Sequence, residues 1–295
     1  MKILRAGTPA LIWSTVLLAI GFMSGCAAKR TVTLWGDPQT GLILQYRLPE
    51  GKTLKYETSG RQAESTEVMG QKIDVESKVE SAYSLRSMGQ KDGNLQLEVS
   101  IETMSIHTKS PQRELSPDLS PVIGKSFVMI LSPFGEEIDI SGAESIEYTG
   151  PAGKRNLASR FQTVFPDAAA QPVMVGNSWT TQDAIVEKGE AGAITIRFQN
   201  VHTLAGFETV EGLECARIQA KVTGDVEGDG NQGGAIYTVK GRYQGLDTWY
   251  FAYKEGILVK VSSTGVIDAT IDVTSPQTMT IPTKQELSSE IRLIR

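Results

Sequence analysis

The chain has 295 residues with a formal charge of −5 at pH 7, is 40% hydrophobic and has only 21% charged residues. That length buries a sizeable core as one large domain or two smaller ones, and the acidic balance without a basic run makes the surface a poor partner for nucleic acid or anionic headgroups. Two cysteines and two histidines leave no disulfide framework and no recognisable metal-ligand spacing.

The N-terminus opens with Lys2 and Arg5, continues through an apolar Leu11–Ile20 and ends in Met23-Ser24-Gly25-Cys26. A ten-residue segment is too short to span about 30 Å of hydrocarbon as a helix, so residues 1–25 read as a cleavable signal peptide. The pattern resembles that of bacterial lipoproteins, with Met23 where Leu is more usual. The resemblance implies that Cys26 is lipidated and becomes the first mature residue, leaving 270 residues and a charge of −7. Ala27 instead of Asp implies outer-membrane sorting, facing the periplasm, if the source has two membranes. Several acyl chains on one residue suffice for stable anchoring. Residues 26–40 form the expected tether and 41–295 a β-rich extracytoplasmic domain.

Strands dominate from there. Ile73, Val75, Val79, Tyr83 and Leu85 alternate with Asp74, Glu76, Lys78 and Glu80, the period of a half-buried strand. Met69-Gly70 precedes that strand, and Asp92-Gly93 turns it into Leu95–Ile101 as a tight hairpin. The apolar parity shifts at Met104 and Ile106, which predicts a bulge or a strand end. Leu115–Pro121 reads as an extended loop, and Phe127–Leu131 with Glu137–Ser141 as a buried hairpin whose carboxylates Glu136 and Glu137 are solvated. Leu157, Ala158, Phe161, Val164 and Phe165 predict one principal amphipathic helix over Lys154–Phe165, stopped by Pro166 and capping the sheets.

After Pro172 the pattern returns to strands, with Trp179 anchoring the first. Gly224–Gly234 reads as a mobile, acidic, glycine-rich hairpin tip. Ile236–Tyr243, Leu246–Tyr253, Ile257–Ser263 and Val266–Val273 follow as a meander, and Thr278–Ile294 as one or two last strands. Polar residues on one face of each mark antiparallel sheets. The expected fold is mainly β: curved antiparallel sheets, a sandwich or half-barrel of about twelve strands. A long strand, a glycine turn and a second strand occur near 72–101 and again near 193–222, suggesting an internal duplication with halves of about 41–150 and 172–295.

Gly51-Lys52 before Leu54 and Tyr56, Met69-Gly70-Gln71, Lys91-Asp92-Gly93-Asn94 and Gly124-Lys125 form one set of anchors. Ser132-Pro133-Phe134-Gly135, Val175-Gly176-Asn177-Ser178-Trp179 and Trp249-Tyr250-Phe251 ahead of Glu255-Gly256 form another. With these the chain resembles, over most of 42–275, an uncharacterised family of bacterial lipoproteins carrying a domain of unknown function. The resemblance implies location and fold and supplies no reaction.

Candidate sites are sparse. Asp225, Glu227 and Asp229 alternate before a glycine as in a calcium loop, but Ile236 stands at the twelfth position where a bidentate carboxylate is needed. A solvated acidic tip, with no metal and no cofactor, is the reading that results. His202 shares the apolar parity of its strand, His107 lies near the end of another, and neither belongs to a triad. Cys215 reads as a small core residue inside a strand-like run, with no nearby His to make it a nucleophile. Trp249, Tyr250, Phe251 and Tyr253 occupy both faces of one strand, as core or as the lining of an apolar cavity. The resulting expectation is a non-enzymatic envelope lipoprotein held at the membrane through Cys26, which binds an apolar ligand or an envelope protein. A structural or assembly lipoprotein without a ligand cavity, and an unrecognised hydrolase, are the alternatives. Cys26→Ser is expected to abolish fatty-acid labelling and membrane fractionation; labelling that persists in this variant would refute the lipobox reading.

Overall fold

The computed structural model describes residues 34–150 and 153–294, which belong to one compact unit. The signal segment, Cys26 and most of the expected tether lie outside the described residues. Two short pairs, β1 (Gly36–Asp37) with β2 (Gly41–Leu42) and β9 (Glu147–Gly150) with β10 (Gly153–Asn156), flank the main sheet. That sheet contains β3 (Thr53–Val68), β4 (Gln71–Lys91), β5 (Asn94–Lys109), β6 (Glu114–Leu115), β7 (Ser126–Leu131) and β8 (Glu137–Asp139). Its other half is β11 (Ser178–Gly189), β12 (Gly192–Val210), β13 (Leu213–Gln232), β14 (Ala235–Ala252), β15 (Ile257–Ser275) and β16 (Met279–Ile294).

All twelve strands are antiparallel in one curled half-barrel sheet, ordered β11-β12-β13-β14-β15-β16-β3-β4-β5-β7-β8, with β6 on β5. The last strand pairs with the first long one, from Thr283 opposite Thr66 to Ile294 opposite Lys55. Residues 41–150 and 172–295 therefore share a single sheet, and the arrangement is not a sandwich. Both hairpins near 72–101 and 193–222 form, but a duplication is not shown. Type I′ turns join many of the strands, because both central residues have positive φ at Met69-Gly70, Asp92-Gly93, Glu211-Gly212 and Gly233-Gly234. The expected bulge is real: pairing slips between Ala82 and Tyr83, opposite Ile101 and Thr103.

The long strands run to 21 residues, roughly 70 Å at the usual rise, and outreach the core. At one end the inner face carries Tyr56, Tyr83, Trp249, Phe251 and Leu258, all buried. Residues 42–48 and the connection 140–177 cover them. Phe161 packs edge-on against Tyr83 and Phe127, and Tyr46 against Phe165 and Phe251. The connection also spans the opening of the half-barrel, since it leaves β8 at one sheet edge and enters β11 at the other. Gln162 pairs its side-chain amide with the backbone N–H and carbonyl of Val186, and Arg155 with Glu187, which occupies part of the β11 edge.

Three expectations fail here. No α-helix occurs among the described residues: Lys154–Asn156 belong to β10, and Ala158–Arg160 form a single 3₁₀ turn. The segment between Pro151 and Pro166 is too short to nucleate a helix without a cap. Its apolar residues enter the core from a winding trace, with Asn156 Oδ1 accepting the Ala158 N–H. Gly224–Gln232 is paired strand, and only Gly233-Gly234 is the turn. Its glycines leave room for neighbours, with Phe198 beside Gly224, Ile194 beside Gly228 and Tyr237 beside Gly230. Finally, β14 and β15 are each one strand and do not break at Gly245 or Gly265. These two glycines pair with each other, and the Tyr243 ring lies across both. A Cβ on Gly265 would collide with the Tyr243 ring, so Gly265→Val is expected to cost about 2 kcal/mol in urea unfolding. The cost should shrink in a Tyr243→Ala background; an equal cost there would show that the ring is not the obstacle.

Candidate functional site

Antiparallel pairing puts opposed residues on one face, so the register reads out the inner wall beyond the core. The first row runs Trp179, His202, Ala220, Asp247, Ser263, Ser289, Gly60, Val79 and Ile106. This row and the two below it are a waist rich in serine, glycine, threonine and amides. Further toward the hairpin tips the wall turns apolar, through Ile185, Ile196, Val226, Ala269 and Ile73, then Ile194, Val239, Ile271, Ile281 and Val68. Val226, Val239 and Ile267 are buried among Ile196, Tyr237, Tyr243, Ile271 and Leu287. Most of the other apolar side chains on this wall are half-buried.

Charge separates the faces. Ion pairs such as Arg61–Glu76, Lys78–Glu80, Arg197–Glu227, Lys260–Glu290 and Arg292–Glu57 project from the outer face. Below the core, the inner face of β11–β16 and β3–β5 carries no Lys or Arg, and its only carboxylates are Asp183, Glu187, Asp247 and Glu64.

At the β11 edge a polar chain ties the wall to the connection. His202 Nε2 lies 3.0 Å from Thr181 Oγ1, which accepts from Asn200 Nδ2 at 3.3 Å. Asn200 Nδ2 also donates to Asp183 at 2.5 Å, and Asp183 shares a hydrogen bond with Asp167. Trp179 stacks on His202 and donates its indole N–H to Asp167 O at 3.0 Å. Glu137, expected in solvent, is instead held largely away from water and accepts the Phe165 N–H at 2.9 Å. Burial, then the Asp183 charge and hydrogen bond, then Glu136, push Asp167 up to about 7. Burial also raises Asp183 and Glu137 and lowers His202 to about 4. A neutral imidazole enclosed between the indoles of Trp179 and Trp249 is placed for packing and not for proton transfer at a surface.

The other sequence-predicted residues do not converge. Cys26 lies outside the described residues. Cys215 is buried beside Ala252 and Val259, and His107 pairs with Glu114 on the outer face. Asp225, Glu227 and Asp229 alternate along the outer face of β13, Glu227 paired with Arg197. Among the described residues no group of three acidic, His or Cys side chains is arranged to hold a metal. Trp249, Phe251 and Tyr253 are core. Sequence reading missed Asp167, Thr181, Asp183 and Asn200; only the parity of the last three with His202 and Trp179 hinted at a shared face.

No family model and no curated protein matches the chain. Among solved structures, OccK5 (OpdH) of Pseudomonas aeruginosa is 9% identical at a TM-score of 0.28, over 83% of this chain and 99% of that one. A Bacteroides fragilis protein with a YmcC-like fold is 8% identical at 0.24, over 85% and 99%. An outer-membrane channel from Pseudomonas putida F1 is 12% identical at 0.22, over 88% and 99%. Likeness at this level assigns neither family nor function.

The seam has a signed pH dependence. A carboxyl raised in the folded state contributes stability that is complete below its unfolded pKa of about 3.9 and is lost as pH rises through its folded value. His202 acts oppositely, losing stability as pH falls from about 6.5 to about 4. The two trends offset each other below about 6.5, so Asp167 acts unopposed above it. The melting temperature is expected to fall between pH 6.5 and 8.5, and Asp183→Asn to flatten that fall. A parent profile that is flat over this interval would contradict the coupling.

Proposed function

We propose that the protein is a non-enzymatic envelope lipoprotein, anchored through Cys26, whose inner wall binds an apolar ligand. The observation that carries this reading is the segregation of charge: ion pairs stud the outer face of the single sheet, whereas its inner face below the core is free of Lys and Arg and turns apolar and half-buried toward the hairpin tips. Half-exposed apolar surface on that scale marks an interaction site. Lipidation with sorting to the outer membrane would place the wall in the periplasm.

Ile271→Glu and Ile196→Glu put charge on the wall outside the main core, at half-buried positions that pack on Val226, Val239 and Ile267. Each is expected to weaken binding of a polarity-sensitive apolar dye at least tenfold while the far-ultraviolet circular dichroism is unchanged. Native mass spectrometry of protein purified from its own host should show an apolar adduct in the parent and none in these variants. Parent-like dye binding in both variants would refute the assignment.

A second reading, an assembly component, is favoured by the opposite face. The core void among Tyr46, Tyr56, Leu85 and Leu258 is only about 20 Å³, too small for a ligand. By contrast, an open trough of about 740 Å³ crosses the outer waist, where Leu246 is 60% exposed between Lys221 and Thr264. A partner seated there would be sensitive to Leu246→Lys and indifferent to Ile271→Glu.

A further inference from the structure

The outer waist departs from the ion-paired pattern of the rest of its face. On β11–β15 the register sets three outer rows, centred on Leu246, that consist of Ser, Thr and Gln apart from the apolar Val201, Leu246 and Val266 and a single charge, Lys221. Charged rows border this band on both sides, with Arg197, Asp225, Arg242 and Asp268 toward the hairpin tips and Arg217 and Lys260 toward the core end. Lys221 is exposed and stands directly between two exposed apolar neighbours, Val201 and Leu246. No carboxylate occupies an adjacent outer position on β12, β13 or β14. Arg61, at the other side of the trough, is by contrast held by Glu76. The trough crosses the band from Lys221 on β13 to Thr264 and Val266 on β15, so its surface there is concave as well as depleted of charge.

An apolar, charge-depleted centre inside a charged rim is the composition of a protein–protein contact. Resting on the assembly reading of the outer trough, we propose that its occupant is a different protein, which presents an apolar side chain beside an aspartate or glutamate. The carboxylate meets Lys221 and the apolar group lies on Leu246 and Val201. Five strands and three rows span roughly 24 Å by 20 Å, or about 480 Å² on this partner, below the ~800 Å² of a standard stable interface and on the scale of a transient one. A second copy fits poorly, because a two-fold contact would set this band against itself and leave both copies of Lys221 without a counterion. A bilayer is flat where the trough is concave, and one lysine on a chain of net charge −5 gains little from anionic headgroups.

The test places the photo-crosslinking residue p-benzoylphenylalanine at Thr264, in the trough, in the full-length protein expressed in its own host. A discrete adduct with another protein is expected, and mass spectrometry of the linked peptide should find Asp or Glu within a few residues of the linked position. Lys221→Glu should lower the adduct yield at least fivefold and Lys221→Arg should retain it, while both purified variants melt as the parent does. No adduct, or one that survives Leu246→Lys, would overturn the trough as a docking site and the assembly reading with it. An adduct lost in Leu246→Lys but indifferent to Lys221→Glu, or a linked peptide without an acidic residue, would overturn the acidic partner and leave the docking site standing. Adducts to lipid alone, or to a second copy of this chain, would overturn the proposal in favour of those occupants. The composition of the linked peptide stands on its own if Lys221→Glu does not fold.

Discussion

A single sheet must cover its apolar face with something, and here most of the architecture follows from curling that sheet around its own chain. Tight curvature needs small residues at the bend, and the Gly245–Gly265 pair, with Gly241 on β14 and Gly224 and Gly228 on the adjoining β13, supplies them. Glycine in a strand interior is ordinarily weak because it packs nothing. In this protein Tyr243 and Phe198 lie over the vacated space and meet edge-on at 5.2 Å, so the bend becomes packed surface.

The second consequence of the curl is an opening, because the sheet stops at β8 and β11 without closing into a barrel. Residues 140–177 solve two problems at once. Their aromatic and aliphatic side chains fill the core end, and their amide and charged groups occupy part of the β11 edge. The cost appears as buried polarity along the seam, where Asp167, Asp183 and Glu137 are held in a setting that favours their protonated forms. Such groups are tolerated only with partners, which explains why Asn200 and the Phe165 N–H are aligned on Asp183 and Glu137.

Strand length then separates stability from function. The core needs about half of each long strand; the remainder extends as one layer whose inner side chains, away from the β11 seam, pack on one another. Salt bridges on the outer face of that extension are exposed and individually weak, and act chiefly to keep the outer face soluble. Leaving the inner face without cations while the outer face is dense with them is a division that packing alone does not require, and it is the physical basis of the binding assignment.

The sequence by itself determined the strands, because period-two alternation is local: Ile73 to Leu85 and Ile267 to Val273 declare their faces without reference to any partner. It also determined the Asp92-Gly93 and Met69-Gly70 turns, where positive φ restricts the residue type, and the antiparallel class. Only the tertiary structure decided the rest. Leu157, Ala158, Phe161, Val164 and Phe165 satisfy helical spacing, but a sheet edge and a core in need of a cover overrode a short uncapped helix. Glycines at 224–230, 245 and 265 look like breaks until the side chains on neighbouring strands that fill them are known. The seam carboxylates lie far from Glu137 in sequence, and burial, which shifts their protonation, is a property of the folded chain. The wall itself emerges only from register, since a residue's parity names its face but not which face is charged across nine strands.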